Sequence, residues 1–227
     1  MTRPGRPRLS PSTDPGPLYV DASDWKNPVD FVELFSNDNP VELEIGCGRG
    51  LFLEREAIGR PSVNLVGLEV AKKIAQLAAF RCLNANVTNV RVLAIDARKF
   101  LALIPGRSLA AVHIYFPDPW WKRRHRKRRI VAPDVLLQLQ RVLALNAPVH
   151  LATDVEEYFH AMQQTFADFP AFTHGPEQTA SAGVHQLVYL THFERKFRAA
   201  GKWIGRLCYK LTGPTPVRGN NSAEEEK

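Results

Sequence analysis

Short β-rich runs alternate with helical stretches across the middle of this chain, and no other pattern limits its architecture as strongly. The β-rich runs cover residues 41–45, 64–70, 89–95, 110–116 and 149–152, while 50–59, 71–84, 133–145 and 155–166 read as helices. Strands separated by helices join through right-handed crossovers, which predicts a largely parallel sheet covered on both faces. Two more runs, 186–193 and 203–211, break the rule. The basic stretch between them is too short for a crossover helix, so they are expected as an antiparallel pair at a sheet edge. The expectation is therefore a seven-stranded, mostly parallel α/β sheet with an antiparallel edge pair and helices on both faces. At 227 residues and 44% hydrophobic content the chain suits a single domain, expected over 18–211, with disordered tails at 1–17 and 212–227. No run of eighteen apolar residues occurs and the N-terminus lacks an apolar centre, so neither a membrane span nor a secretory signal is expected, and the setting is expected to be cytoplasmic. Cys47, Cys82 and Cys208 contain no CxxC pair, which speaks for reduced thiols and against a zinc site.

In an open parallel sheet, ligands bind outside the carboxyl ends of the strands. The first strand runs into ELEIGCGRG, with Gly46, Gly48 and Gly50 free to turn sharply and bring backbone N–H groups close to a ligand. A dinucleotide-binding loop has the pattern GxGxxG, whose third glycine would fall at Leu51; the pattern here is GxGxG. Three acids lie at or near the same edge. Glu69 is placed to accept hydrogen bonds from two ribose hydroxyls, Asp96 from an adenine amino group, and Glu44 to favour a cationic amino-acid end. Each could instead cap a helix. Together they favour S-adenosyl-L-methionine over a dinucleotide.

The fourth strand delivers the chain into PDPWWKRRHRKRRIV. Asp118, held between two prolines of fixed φ, falls at the strand end over the same crevice. Residues 122–129 hold seven of the 30 Lys and Arg, and without them basic and acidic residues balance at 23 each. The chain's whole formal excess of +7 is thus focused beside a candidate catalytic acid, where it would grip a nucleic-acid backbone. Nuclear localisation and membrane binding are the alternatives for such a run. Trp120 and Trp121 read either as base-stacking platforms or as core residues, and at least one of them is expected in the core. Further on, LATD places Asp154 at the end of the fifth strand, and THFE (Thr191, His192, Phe193, Glu194) supplies a hydroxyl and a carboxylate suited to the N–H donors of guanine.

ELEIGCGRG, GLEV, the acid at Asp96, FPDPWWKRRHRKRRIV, ATD and THFE together resemble, in order and approximate spacing, the bacterial tRNA (guanine-N7-)-methyltransferases over about residues 40–211. The resemblance implies a Rossmann-like class I methyltransferase fold, S-adenosyl-L-methionine as methyl donor, no metal, and tRNA as partner, methylated at the guanine of variable-loop position 46. It assigns Glu44, Gly46, Gly48, Gly50, Glu69, Asp96 and Asp118 to the cofactor region, with Asp118 the active-site acid. Lys122, Asp154 and Thr191 to Glu194 would contact substrate, and Arg124, His125, Arg126, Lys127, Arg128 and Arg129 would hold the RNA. His192 stands where the family commonly has Lys, and Trp121 where it has a smaller or polar residue. A monomer or a homodimer fits this reading. Rival readings are a methyltransferase for another RNA or for protein, and an RNA-binding protein without catalysis.

Overall fold

A computed structural model describes residues 14–175 and 203–213. Its sheet has eight strands in the order β1-β4-β3-β2-β5-β6-β8-β7. The centre is β2 (Val41–Ile45), flanked by β3 (Asn64–Leu68) and β5 (Leu109–Tyr115), both parallel to it. From β2 the chain winds outward through β3 to β4 (Val90–Leu93), then crosses back to β5 and on to β6 (Pro148–Thr153). The winding therefore reverses between β2 and β5, and a crevice opens there at the strands' carboxyl ends.

Two differences from the expected seven strands concern the edges. A two-residue strand β1 (Tyr19–Val20) pairs parallel with β4, and a three-residue strand β7 (Phe172–His174) pairs antiparallel with β8 (Gly205–Leu211). Runs this short carry no periodicity for a sequence pattern to detect. The expected strand at 186–193 lies outside the described residues. The antiparallel edge itself is present, because β8 runs against both β6 and β7. At the other end of the fold a 3-10 turn at Gly16–Leu18 places Leu18 in the core.

The strands are buried on both faces, so their side chains alternate between two cores. Val41, Leu43 and Ile45 point to the larger one, with Leu136 and Leu139 of α5 (Pro133–Val142) and Tyr158, Met162 and Phe166 of α6 (Glu156–Ala167). On the opposite face α2 (Leu51–Gly59) and α3 (Lys72–Asn84) contribute Phe52, Leu53, Ala75, Ala78, Ala79 and Cys82. Small side chains on α3 let that helix lie close to the sheet. Each large aliphatic side chain buried here contributes about 1.5–3 kcal/mol. Two short helices escape the sequence pattern, α1 (Phe31–Phe35) and α4 (Ala97–Leu103). Both start at an aspartate whose side chain caps the first turn, Asp30 and Asp96. All three cysteines are free and buried, and no described helix is long and apolar enough to cross a membrane.

Candidate active site

The glycine loop is shaped by backbone conformations that side chains rarely adopt. Gly46, Gly48 and Gly50 have φ of +80°, +53° and +71°. Around Gly46 and Gly48 the space that a Cβ would enter is open, whereas at Gly50 a Cβ would sit 2.9 Å from the Cβ of Ala78. The first two glycines leave room for a ligand against the backbone, and the third lets α2 start in contact with α3. Backbone N–H groups of Gly46 and Cys47 both donate to Leu68 O at 2.9 Å, tying the loop to the end of β3.

Glu42 and Glu44 alternate with the apolar residues of β2 and so share the α2 face of the sheet. Their environments are opposite. Arg60 donates to both oxygens of Glu42 at 2.7 Å, and His113 Nε2 lies 3.0 Å from Oε2. Burial alone would raise the Glu42 pKa, but the hydrogen bonds from His113 and Arg60 hold it well below the usual carboxylate range. Arg60 also binds Glu56, and Tyr115 lies 3.0 Å from His113 Nδ1, so the pair belongs to a closed polar network under the crevice. Glu44 is 4% exposed, and its Oε2 is buried with no hydrogen-bond partner among the described residues. Burial, then the negative charges of Glu56 and Glu69, push its pKa up to about 8. A buried carboxyl with an unsatisfied oxygen costs free energy unless a ligand satisfies it. This is the structural feature that suits a cationic ligand group, and a buried carboxylate acceptor fits the ammonium at the amino-acid end of S-adenosylmethionine.

Glu69 stands half-buried just past β3 and accepts from Ala71 N at 2.9 Å. Burial raises its pKa; the N–H groups of Ala71, Gly48 and Val70 oppose the rise, and the charge of Asp118 adds to it. The loop, the end of β3 and the turn after β5 therefore meet at one place. Asp96 also lies at its strand end, exposed, but its Oδ1 accepts from Arg98 N at 2.9 Å and Lys99 N at 3.3 Å as the cap of α4. Capping and ligand binding are compatible, since a carboxylate has lone pairs beyond those that a cap uses.

After β5 the backbone is forced into the left-handed region twice, at Phe116 (φ 50°) and Trp120 (φ 46°), on either side of Pro117-Asp118-Pro119. Bulky residues rarely adopt this conformation, and such strain clusters at functional sites. Asp118 is exposed, and with Pro119, Trp120, Trp121, Lys122 and His125 it lines a cleft of about 390 Å³. Neither tryptophan packs in the core, contrary to expectation. Trp120 is half-buried, with the Arg128 guanidinium 5.0 Å from its ring and His125 edge-on at 5.8 Å, while Trp121 is 61% exposed. The Arg128 guanidinium and the His125 ring hold Trp120 on the cleft wall.

The basic run forms a short 3-10 helix, Arg123–Arg128. Arg124, Arg126, Lys127 and Arg128 are exposed and His125 half-buried. Arg126 donates to Glu157 of α6 at 2.8 Å. Arg129 differs from the group to which the sequence assigned it. It is 8% exposed, donates through Nε to Pro119 O at 2.9 Å, and stacks over Tyr158 at 4.6 Å. Its Nη2 lies 3.7 Å from Glu157 Oε1, beyond hydrogen-bond range. Arg129 is thus turned inward, where it holds the carbonyl next to Asp118 and supports the turn. Asp154 follows β6, whose Ala152 O accepts from Phe116 N at 2.8 Å where that turn begins, and is half-buried. Thr191, His192, Phe193 and Glu194 lie outside the described residues.

Of the network of Glu42, Glu56, Arg60 and His113, only Glu42 falls in a motif, as the first residue of ELEIGCGRG, and the motif gives it no role. A signal for it exists all the same, in Glu42 within VELEI and His113 within AAVHIY, charged or titratable types at core positions.

A family described as putative methyltransferase matches residues 38–207. The tRNA (guanine-N(7)-)-methyltransferase of Rhodopirellula baltica is 36% identical over 217 residues, covering 92% of this chain and 80% of that one. The chain belongs to the tRNA (guanine-N7-)-methyltransferase family. Members from Geobacter metallireducens (35% identity, 86% of this chain and 93% of the relative) and Listeria monocytogenes (33%, 82% and 89%) agree. Among solved structures, the 16S rRNA methyltransferase KamB superposes with a TM-score of 0.58 at 18% identity, covering 86% of this chain and 99% of its own. The aminoglycoside resistance methyltransferase NpmB1 gives 0.56 at 14% identity over 83% and 95%. These two show that the chain has the class I methyltransferase fold.

Proposed function

We propose that this protein transfers a methyl group from S-adenosyl-L-methionine to N7 of guanine in tRNA, at variable-loop position 46, giving N7-methylguanosine. Family membership supports the reaction, and one structural observation supports it further: the buried, unsatisfied Glu44 carboxyl lies within electrostatic reach of Glu69, Glu69 lies within reach of Asp118, and Asp118 shares its cleft with Lys122 and His125 at the head of the basic helix. When bound, S-adenosylmethionine supplies a methyl group activated by its sulfonium. Glu44 receives the ammonium of its amino-acid end, Glu69 the ribose hydroxyls, and Asp96 the adenine amino group, with Gly46 and Gly48 admitting it against the backbone. Guanine N7 carries its own lone pair, so no proton must be removed and no metal is called for. Alignment and electrostatics then do the chemistry. Asp118 orients the base and offsets the positive charge developing on the purine. Lys122 and Asp154 hold the substrate, joined by Thr191 to Glu194, and Arg124, His125, Arg126, Lys127 and Arg128 hold the flanking phosphates while the base is drawn from its stack.

Incubation with labelled cofactor and an unmodified tRNA transcript, followed by strand cleavage specific for N7-methylguanosine, tests the proposal. A single cleavage at position 46 is expected. Label in protein, or cleavage elsewhere, would contradict it.

A further inference from the structure

One aromatic surface at the crevice has no partner within the described protein. Trp121 exposes 61% of its surface, the largest aromatic among the exposed hydrophobic side chains apart from the 48%-exposed Trp203. Trp203 packs edge-on against Phe159 at 5.3 Å. Trp120, adjacent in sequence, is occupied by Arg128 and His125. The left-handed φ of Trp120 separates the two rings, one engaged along the basic helix and the other left facing solvent. Leaving a large indole in water forgoes a burial free energy that the fold could otherwise have gained, so its placement on a cleft wall points to a ligand.

The neighbours identify that ligand's chemistry. The cleft of about 390 Å³ combines the flat Trp121 and Trp120 rings with Pro119, one carboxylate at Asp118, one ammonium at Lys122 and the His125 imidazole. A flat, largely apolar slot flanked by a cation, at the head of a basic helix, suits a planar aromatic base attached to a phosphate. Aliphatic or peptide ligands would leave the indole face poorly matched. Paired bases in a duplex do not present their faces, so the base must be unpaired.

We infer that Trp121 is a stacking platform for an unpaired nucleobase of the substrate RNA, held between its indole face and the cation of Lys122. This deepens the proposed function and rests on it for the identity of the RNA, but the stacking itself can be read separately. Stacking of a base on an aromatic side chain strengthens binding by about tenfold to a hundredfold, and it is tolerant of base identity. Trp121 is therefore a positioning residue that favours RNA already opened at the target, while Asp118 and Lys122 orient what it holds.

Indole fluorescence gives a direct test with the full chain. Titration with a tRNA transcript, and separately with a short unpaired oligoadenylate, should quench the emission of the wild-type protein. Trp121→Phe should lose most of that quench while retaining affinity within a few-fold, because the phenyl ring still stacks. Trp121→Ala should weaken binding of both RNAs about tenfold or more, raise KM for tRNA more than it lowers kcat, and leave cofactor affinity unchanged. A Trp121→Phe protein quenched as strongly as the wild type, or a Trp121→Ala protein with unaltered RNA affinity, overturns the inference. If the quench follows Trp121 but no N7-methylguanosine forms in tRNA, the inference stands and the proposed reaction fails. Methylation at position 46 with a quench independent of Trp121 gives the reverse outcome. Transcripts abasic either at the methylated guanosine or at its neighbour then show which of the two bases the indole holds.

Discussion

On the β2–β3 side of the crevice the functional groups are carboxylates sunk into the fold, and on the β5 side they are cations standing in solvent on a six-residue 3-10 helix. The first group is fixed by strand register and by backbone N–H donors. Glu44 lies opposite His113 across the β2–β5 ladder, and Glu69 is clamped by the loop that it faces. The second sits on a short 3-10 helix tied to the rest of the fold by side chains, through Arg128 on Trp120 and Arg126 on Glu157. A small ligand of constant shape can be met by a rigid, desolvated site. A folded polyanion is met better by exposed charges that adjust, because counterion release and long-range attraction need no exact geometry. Asp118 stands at the seam, exposed like the cations but held in a strained turn like the cradle.

That position gives the largest predicted effect. Asp118→Ala should lower kcat for methyl transfer by about 10²–10³-fold, the range found when one preorganised electrostatic partner is removed. Affinity for S-adenosylmethionine, measured by calorimetry, should change little. A loss confined to cofactor affinity would move Asp118 wholly to the cradle and erase the seam.

Protonation of Glu44 should produce the next effect. With its pKa raised from 4.5 to about 8, this group is protonated in the free protein near neutrality, while it is ionised in the unfolded chain. Between these two values the folded form holds one more proton than the unfolded form, so the group's contribution to stability falls as pH rises, by about 1.4 kcal/mol per unit at most. A bound ammonium favours the carboxylate and reverses that preference. Cofactor binding should therefore release a proton below pH 8, and affinity should rise with pH by up to about tenfold per unit before levelling. Calorimetry in buffers of differing ionisation enthalpy reads the released proton. S-adenosylhomocysteine should release it too, and 5′-methylthioadenosine, which lacks the amino-acid end, should not. Glu42 titrates the other way and should leave this range undisturbed, since Arg60 and His113 keep it ionised far below neutrality.

Much of the cradle is legible in the sequence because it depends on local rules. Glycines mark left-handed backbone, acids at strand ends mark the crevice, and strand alternation fixes which strand ends meet. What stays hidden depends on partners distant in sequence. Arg129 reads as one more cation in KRRHRKRR, and only Tyr158, Glu157 and Pro119 show that it faces inward. Glu42 and Glu44 look equivalent in VELEI, yet Arg60, eighteen residues beyond Glu42, reaches only the first of them. Trp121 follows Trp120 directly, and a single positive φ decides which ring meets solvent. The edge strands β1 and β7 escape for a different reason: two and three residues are too few to show a period, and only neighbouring strands define them.

The inward turn of Arg129 separates it from its neighbours in experiment. Replacing Arg124 and Lys127 with Ala should lower the slope of log affinity against log salt for tRNA by roughly one for each phosphate no longer neutralised, a several-fold weakening at physiological ionic strength. Cofactor affinity and thermal stability should hold. Arg129→Ala should behave oppositely, with the salt slope unchanged and stability lowered by about 1–3 kcal/mol, because Pro119 O is deprived of its donor inside the fold. Thermal denaturation beside a salt titration distinguishes the two, and a salt slope that falls with Arg129→Ala would return it to the RNA-binding set.

The smallest effect belongs to Glu157. Its ion pair with Arg126 joins two side chains about half exposed, so water screens it and its stability contribution is small. Its influence on RNA is of opposite sign to that of the cations, since a phosphate approaching Arg126 must first displace a carboxylate already bound there. Glu157→Gln should therefore leave the melting temperature nearly unchanged and tighten tRNA binding by about two- to fivefold at low salt, with the difference vanishing as salt rises. If binding weakens instead, Glu157 orders the basic helix more than it competes with RNA, and the β5 side is more preorganised than its exposure suggests.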